Sequence, residues 1–213
     1  MLLNEVNIIN GVNTDVGKTF ITCKMISQKK VKGKQINAIK PIISGFNPQS
    51  PETSDAGRIL EALGGEINLN DITKYFLKMP ASPNIAAEIE GVFLSYEEIF
   101  NFCTEKIEKS LNENGQILIE MSGGLCSPLT NEKTMLDLTL DLTNKYKNLC
   151  KNFLITSNYL GSISHTISAC KIFEFDEIIF NPFPVSEHDD LTLKTLENFL
   201  TLNKCFSGKI VQI

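Results

Sequence analysis

Five short apolar runs punctuate the chain: EVNIIN (5–10), INAIK (36–40), QILIE (116–120), NFLITS (152–157) and EIIF (177–180). Each is brief, rich in Ile or Leu, and without clean period-two alternation. Strands of a parallel sheet covered on both faces look like this, because neither face turns to water. Between the runs the apolar spacing lengthens to the helical period. One helix is expected from Lys18. A second, SDAGRILEALGG, starts behind a Ser54 cap and stops at Gly64-Gly65. A third, SYEEIFNFCTEKIEKSLNENG, has Ser95 and Glu98 at capping-box spacing and carries Ile99, Phe102, Cys103 and Ile107 along one stripe. Further helices are expected over about 134–146, 162–173 and 190–202.

Strands alternating with helices predict an α/β fold, a mostly parallel sheet with helices on both faces. No internal repeat, low-complexity tract or linker interrupts the pattern, so residues 1–213 read as one domain. The Pro-rich segments 41–53 and 80–84 read as loops over one edge. Ligands of such sheets sit beyond the carboxyl ends of the strands. That rule points to 10–19, 40–45, 120–124, 157–162 and 181–184 as one neighbourhood.

The first of these segments, NGVNTDVGKTF (10–20), ends in Gly17-Lys18-Thr19 and follows the first buried run. A strand, a glycine-bounded turn and a helix turn backbone N–H groups inward, where the helix dipole also favours an anion. The spacing is one residue longer than the common G-x-x-x-x-G-K-[ST] loop, which widens the cradle without removing any of its groups. In this reading the fold is P-loop NTPase-like. Lys18 reaches the β- and γ-phosphates of a nucleotide, and the Thr19 hydroxyl ligates Mg²⁺. Such a loop needs a carboxylate for the metal at a neighbouring strand end. Glu120 stands where its run stops, followed by Gly123-Gly124. Asp55 opens a helix, where an acid also suits the dipole. Lys40 ends the second run and is placed to neutralise charge on a transferring phosphoryl group, with Ser44 and Gly45 extending the same loop.

Composition narrows the function classes. The hydrophobic fraction is 42% and the charged fraction 21%, ordinary for a globular protein. A net charge of -5 leaves no basic footprint for nucleic acid, so an anionic ligand must be held locally. No apolar stretch approaches the ~18 residues of a membrane span, and the N-terminus lacks a signal-peptide pattern. The six cysteines are scattered, with no C-x-x-C pair, and read as reduced and mostly buried thiols of a cytoplasmic protein.

Taken in order, these motifs make the chain resemble the dethiobiotin synthetase family. GVNTDVGKT fits that family's G-x-x-T-x-V-G-K-T loop, whose glycines have the same wider spacing. The likeness continues through KPIISG, SDA, ASPNIAAEIEG, IEMSGGLCSPLT, LGSISHT and Asn181, over about residues 8 to 184. The resemblance implies an enzyme of biotin biosynthesis, a cyclo-ligase. It forms a carbamate on 7,8-diaminopelargonate from CO2, phosphorylates it with ATP or another nucleoside triphosphate, and closes the ring. Carried over residue by residue, Thr19, Asp55 and Glu120 hold Mg²⁺, while Lys18 and Lys40 stabilise phosphates and carbamate. Thr14 and Ser44 border the diamine and carbamate, with Gly123 beside them. Asn13, Thr14, Asp15, Val16, Gly17, Lys18, Thr19 and Phe20 contact the nucleotide through the loop, and Asn181 reads its base. Gly161 and Ser162 open a helix that receives the substrate carboxylate from a second subunit, so a homodimer is implied, with neither nucleic acid nor membrane as partner.

Several positions depart from the family pattern. Asp15 stands where many members carry Glu, and Ser164 where Asn is frequent. Met121 and Ser122 replace Gly-Ala, placing bulk at the floor of the site. After Asn181 the sequence offers no clear counterpart of the further strand that closes over the base, and Phe183 is a candidate to stack on it or to pack in the loop. His165 is expected to be packed or hydrogen-bonded, and His188 to lie at the surface. Other readings of the loop stay open on sequence: a related ligase acting on another amine or acid, a nucleotide switch, or a binding protein without turnover.

Overall fold

In the computed structural model, described for residues 5–33, 35–65, 67–182 and 188–213, sixteen helices and strands follow one another. They are β1 (Val6–Gly11), α1 (Lys18–Val31), β2 (Ile36–Ile39), β3 (Ile42–Ile43), α2 (Asp55–Leu63), α3 (Leu69–Ile72), β4 (Tyr75–Phe76) and α4 (Pro83–Glu90). Then come α5 (Tyr96–Asn112), β5 (Gln116–Glu120), α6 (Met135–Tyr146), β6 (Cys150–Ser157), α7 (Ser162–Ile172), β7 (Glu177–Asn181), α8 (Asp189–Leu202) and β8 (Lys209–Gln212). Six strands form one parallel sheet in the order β2-β5-β1-β6-β7-β8, and β3 pairs in parallel with β4.

The strand pleat sends alternate residues to opposite faces. Val6 and Ile8 of β1 join Ile117 and Ile119 of β5 in a core with α5 and α6. Ile9 and Leu118 face the other way, into a core with Ile21 and Met25 of α1 and Ile59 of α2. A buried strand must also satisfy its polar residues. Asn7 Nδ2 donates to the Ile117 carbonyl at 3.1 Å, and Thr139 Oγ1 donates to Asn10 Oδ1 at 2.9 Å. Register then sets the site. Ile9 pairs with Glu120 and Ile39 with Ile119, so Glu120 and Lys40 leave neighbouring strand ends side by side, next to the loop after β1.

The five expected strands and the long helices lie within three residues of their sequence positions. Ser54 caps α2 by accepting from Gly57 N–H, and Gly64 ends it. The capping box at Ser95 forms on one side only. Glu98 N–H donates to Ser95 Oγ, but the Glu98 carboxylate turns to Tyr75 Oη at 2.9 Å and to Lys74. The complete box belongs to Thr134 and Asp137 at the start of α6. Segments 41–53 and 80–84 are not bare loops: the first holds β3 and a 3-10 turn, and Pro83 opens α4, where its missing N–H costs nothing. The tail carries a strand after all, since β8 extends the sheet beside β7. All six cysteines are free, with Cys103, Cys150 and Cys170 buried, Cys23 and Cys205 partly covered and Cys126 exposed. Phe183 lies outside the described residues.

Candidate active site

The loop between β1 and α1 turns through left-handed conformations at Asp15 (φ 56°) and Gly17 (φ 91°). Gly17 has two reasons to be glycine. A positive φ strains any side chain, and a Cβ there would stand 2.1 Å from Asn181 Nδ2. Asn181 is buried beneath the loop, donating to the Val16 carbonyl at 3.1 Å. Its amide therefore braces the turn from below. Lys18, the first residue of α1, folds back to donate to the Asn13 carbonyl at 2.9 Å. Burial, aided by the nearby Lys40 ammonium, lowers the Lys18 amine to about 8.

Beside the loop three acidic or hydroxyl groups gather around one cation. Thr19 Oγ1 donates to Glu120 Oε1 at 2.6 Å, and Lys40 Nζ donates to the same oxygen at 2.8 Å. Lys40 also donates to Asp55 Oδ2. Burial favours a neutral Lys40 amine, yet the Glu120 and Asp55 carboxylates outweigh it and hold its pKa above the ordinary value. Burial likewise pushes the Asp55 carboxyl up, but the Lys40 ammonium wins and holds it below the usual range. Glu120 is fully buried, and its Oε2 has no hydrogen-bond partner among the described residues. A buried carboxylate oxygen without a donor is costly unless another cation meets it. Two carboxylates and a hydroxyl are the hard oxygen donors that Mg²⁺ takes alongside phosphates.

These groups open into a cleft of about 630 Å³. It brings together Thr14, Asp15, Gly17, Lys18, Thr19, Phe20, Lys40, Ser44, Asp55, Glu120 and Gly123. Ser44 Oγ is buried there without a partner among the described residues. Asn13 lines a second hollow rather than this cleft, and Gly161 and Ser162, at the start of α7, do not line the cleft. Met121 does not crowd the floor: it packs into the core, and Ser122 lines the cleft instead, donating to the Ile42 carbonyl. His165 is exposed and bonded through Nδ1 to Tyr159 Oη at 2.7 Å, and His188 is exposed. Sequence reasoning passes over Arg58, Ser127 and the 80–83 rim, all of which line the cleft.

A family model described as an AAA domain matches residues 7–181. The ATP-dependent dethiobiotin synthetase BioD of Phenylobacterium zucineum is 34% identical over 208 residues, covering 95% of this chain and 84% of the relative. That of Caulobacter vibrioides is 32% identical over 198 residues, covering 93% and 86%. The chain belongs to the ATP-dependent dethiobiotin synthetase family. Its likeness to solved structures is one of fold. FtsY from Mycoplasma mycoides aligns with a TM-score of 0.55 at 16% identity, over 92% of this chain and 58% of that one. FlhF complexed with GTP/Mg(2+) aligns at 0.52 and 13% identity, over 99% and 65%. The chain thus spans less than two thirds of those neighbours, and the shared part is the P-loop NTPase-like sheet around which this synthetase-family chain builds its cleft.

Proposed function

We propose that the protein is a cytoplasmic cyclo-ligase that makes dethiobiotin from 7,8-diaminopelargonate and CO2 with a nucleoside triphosphate, in biotin biosynthesis. The observation that carries this reading, beside family membership, is the convergence of Lys18, Thr19, Lys40, Asp55 and Glu120 on one cleft. Mg²⁺ would be held by Thr19, Asp55 and Glu120, and when bound it supplies positive charge against the phosphates. No nucleophilic side chain is required, since phosphoryl transfer rests on positioning and charge.

The substrate's first amine adds to CO2 and loses a proton, giving a carbamate. A carbamate oxygen then takes the terminal phosphoryl group and the nucleoside diphosphate leaves. Finally the second amine attacks the carbamoyl carbon, gives up a proton to solvent and expels inorganic phosphate, closing the urea ring. Lys18 lies against the phosphates throughout. Lys40, which pairs with Asp55 and Glu120, would turn its ammonium to the carbamate, with Thr14 and the Ser44 hydroxyl, unpartnered among the described residues, bordering it. Gly161 and Ser162 do not line the cleft of their own chain, in keeping with a homodimer in which the start of α7 of one copy receives the substrate carboxylate of the other.

The test is mass spectrometry of purified protein mixed with diaminopelargonate, bicarbonate, Mg²⁺ and each nucleoside triphosphate in turn. Dethiobiotin is the expected product, and the nucleotide series reads out base choice. Protein that binds nucleotide yet yields no dethiobiotin with any triphosphate would overturn the assignment.

A further inference from the structure

Arg58 lines the same cleft as Lys18, Thr19, Lys40 and Asp55. It stands on α2 three residues after Asp55, a spacing that puts both on one helix face. The backbone beneath it is pinned. A Cβ on Gly57 would come within 2.3 Å of the Pro51 carbonyl, so the start of α2 is tight against the 51–52 turn. Cys23 Sγ, one turn beyond Thr19 on α1, donates to the Arg58 carbonyl at 3.5 Å. The side chain, by contrast, is exposed and forms no ion pair among the described residues.

The charges of the cleft show what that freedom is for. Its ionisable lining is Asp15, Lys18, Lys40, Asp55, Arg58 and Glu120. Lys40 is committed to two carboxylates. Lys18 is folded back onto the loop. A triphosphate keeps a net negative charge even with its Mg²⁺, and with Lys40 turned to the carbamate only Lys18 meets it, so Arg58 is the lining cation left to answer that charge. A guanidinium also offers paired, coplanar donors that match two phosphate oxygens.

We propose that Arg58 is a further nucleotide-binding residue, closing from α2 onto the non-bridging oxygens of the polyphosphate chain seated in the 11–19 loop. The assignment rests on the cleft being a nucleotide site, as read above. It adds an anchor on α2 opposite the loop, so that the phosphates are gripped from both walls of the cleft.

Calorimetric titration of ATP with Mg²⁺ into the wild-type chain, Arg58→Ala and Arg58→Lys tests it. The Kd for ATP should rise about tenfold in Arg58→Ala, the loss of one charge-assisted contact. Arg58→Lys should fall between the two, keeping the charge and losing the fork. Affinity for diaminopelargonate should not change, and melting of the nucleotide-free variants should match wild type, because the side chain is exposed and in no ion pair among the described residues. Equal ATP affinity in wild type and Arg58→Ala overturns the assignment, as does a loss confined to diaminopelargonate. Wild-type protein that fails to bind ATP overturns the nucleotide site and Arg58 together, so the two failures are distinguishable.

Discussion

Lys18 is held where a cation is least comfortable without an anion. Its amine is lowered from 10.5 to about 8, chiefly by burial. Removing that charge should therefore stabilise the empty protein while disabling it. Lys18→Met is expected to raise the stability of nucleotide-free protein near pH 7 by about 1–3 kcal/mol, since each pKa unit is worth about 1.4 kcal/mol. The sign can be checked against pH. With the folded pKa below the unfolded one, folded wild type binds fewer protons between about pH 8 and 10.5, so its stability gains as pH rises there. The gap between variant and wild type should narrow across that window in denaturant titrations, and a constant gap would contradict the account. Turnover should fall at least about a hundredfold, the scale of losing one charge-stabilising donor. At this scale Lys18, Thr19, Lys40, Asp55 and Glu120 are legible in the sequence because each ends a strand or begins a helix. Arg58 is not, since an exposed arginine on an amphipathic helix looks like any solvated one.

The helix α2 shows how one element carries part of the site. Its first residue is Asp55, its cap Ser54, and its third residue Gly57, which touches the 51–52 turn with no room for a methyl. Gly57→Ala has a small propensity gain in its favour, but overpacking should outweigh it and cost about 1–3 kcal/mol. The displaced helix start should carry Asp55 away from Lys40. Weaker Mg²⁺-nucleotide affinity together with a lower Tm is the expected pair of results, and a variant more stable than wild type would sink the argument. The same scale explains which elements the sequence hides. The central strands announce themselves through unbroken Ile and Leu runs buried on both faces. β8 is an edge strand, half-exposed, with the pattern KIVQ and little apolar length. β3 and β4 are two residues each, below any period. α4 hides behind prolines that look like loop punctuation, although Pro83 sits where a helix tolerates it.

For the whole molecule, the shared ammonium of Lys40 links metal, nucleotide and stability. Lys40 bridges Asp55 and Glu120 and offsets one of their two charges, so a divalent ion alone must displace an ion pair to enter. With a triphosphate present, the displaced ammonium gains a new anionic partner and the ion gains phosphate oxygens, so the two ligands favour one another reciprocally. Binding confined to the folded state at about a hundred times Kd adds about 2.7 kcal/mol. For a chain of this size that is a Tm increase of about 5–10 °C. Mg²⁺ with ATP should reach that shift in thermal melts, whereas Mg²⁺ alone at the same concentration should move Tm by less than about 2 °C. Lys40→Met gives the converse: freed of the ammonium, the two carboxylates should take Mn²⁺ more tightly in the absence of nucleotide, read by calorimetry. If Mg²⁺ alone stabilised the wild type as much as the pair, the ion would be binding elsewhere, and the Lys40-centred arrangement would not be what ties the halves of the cleft together.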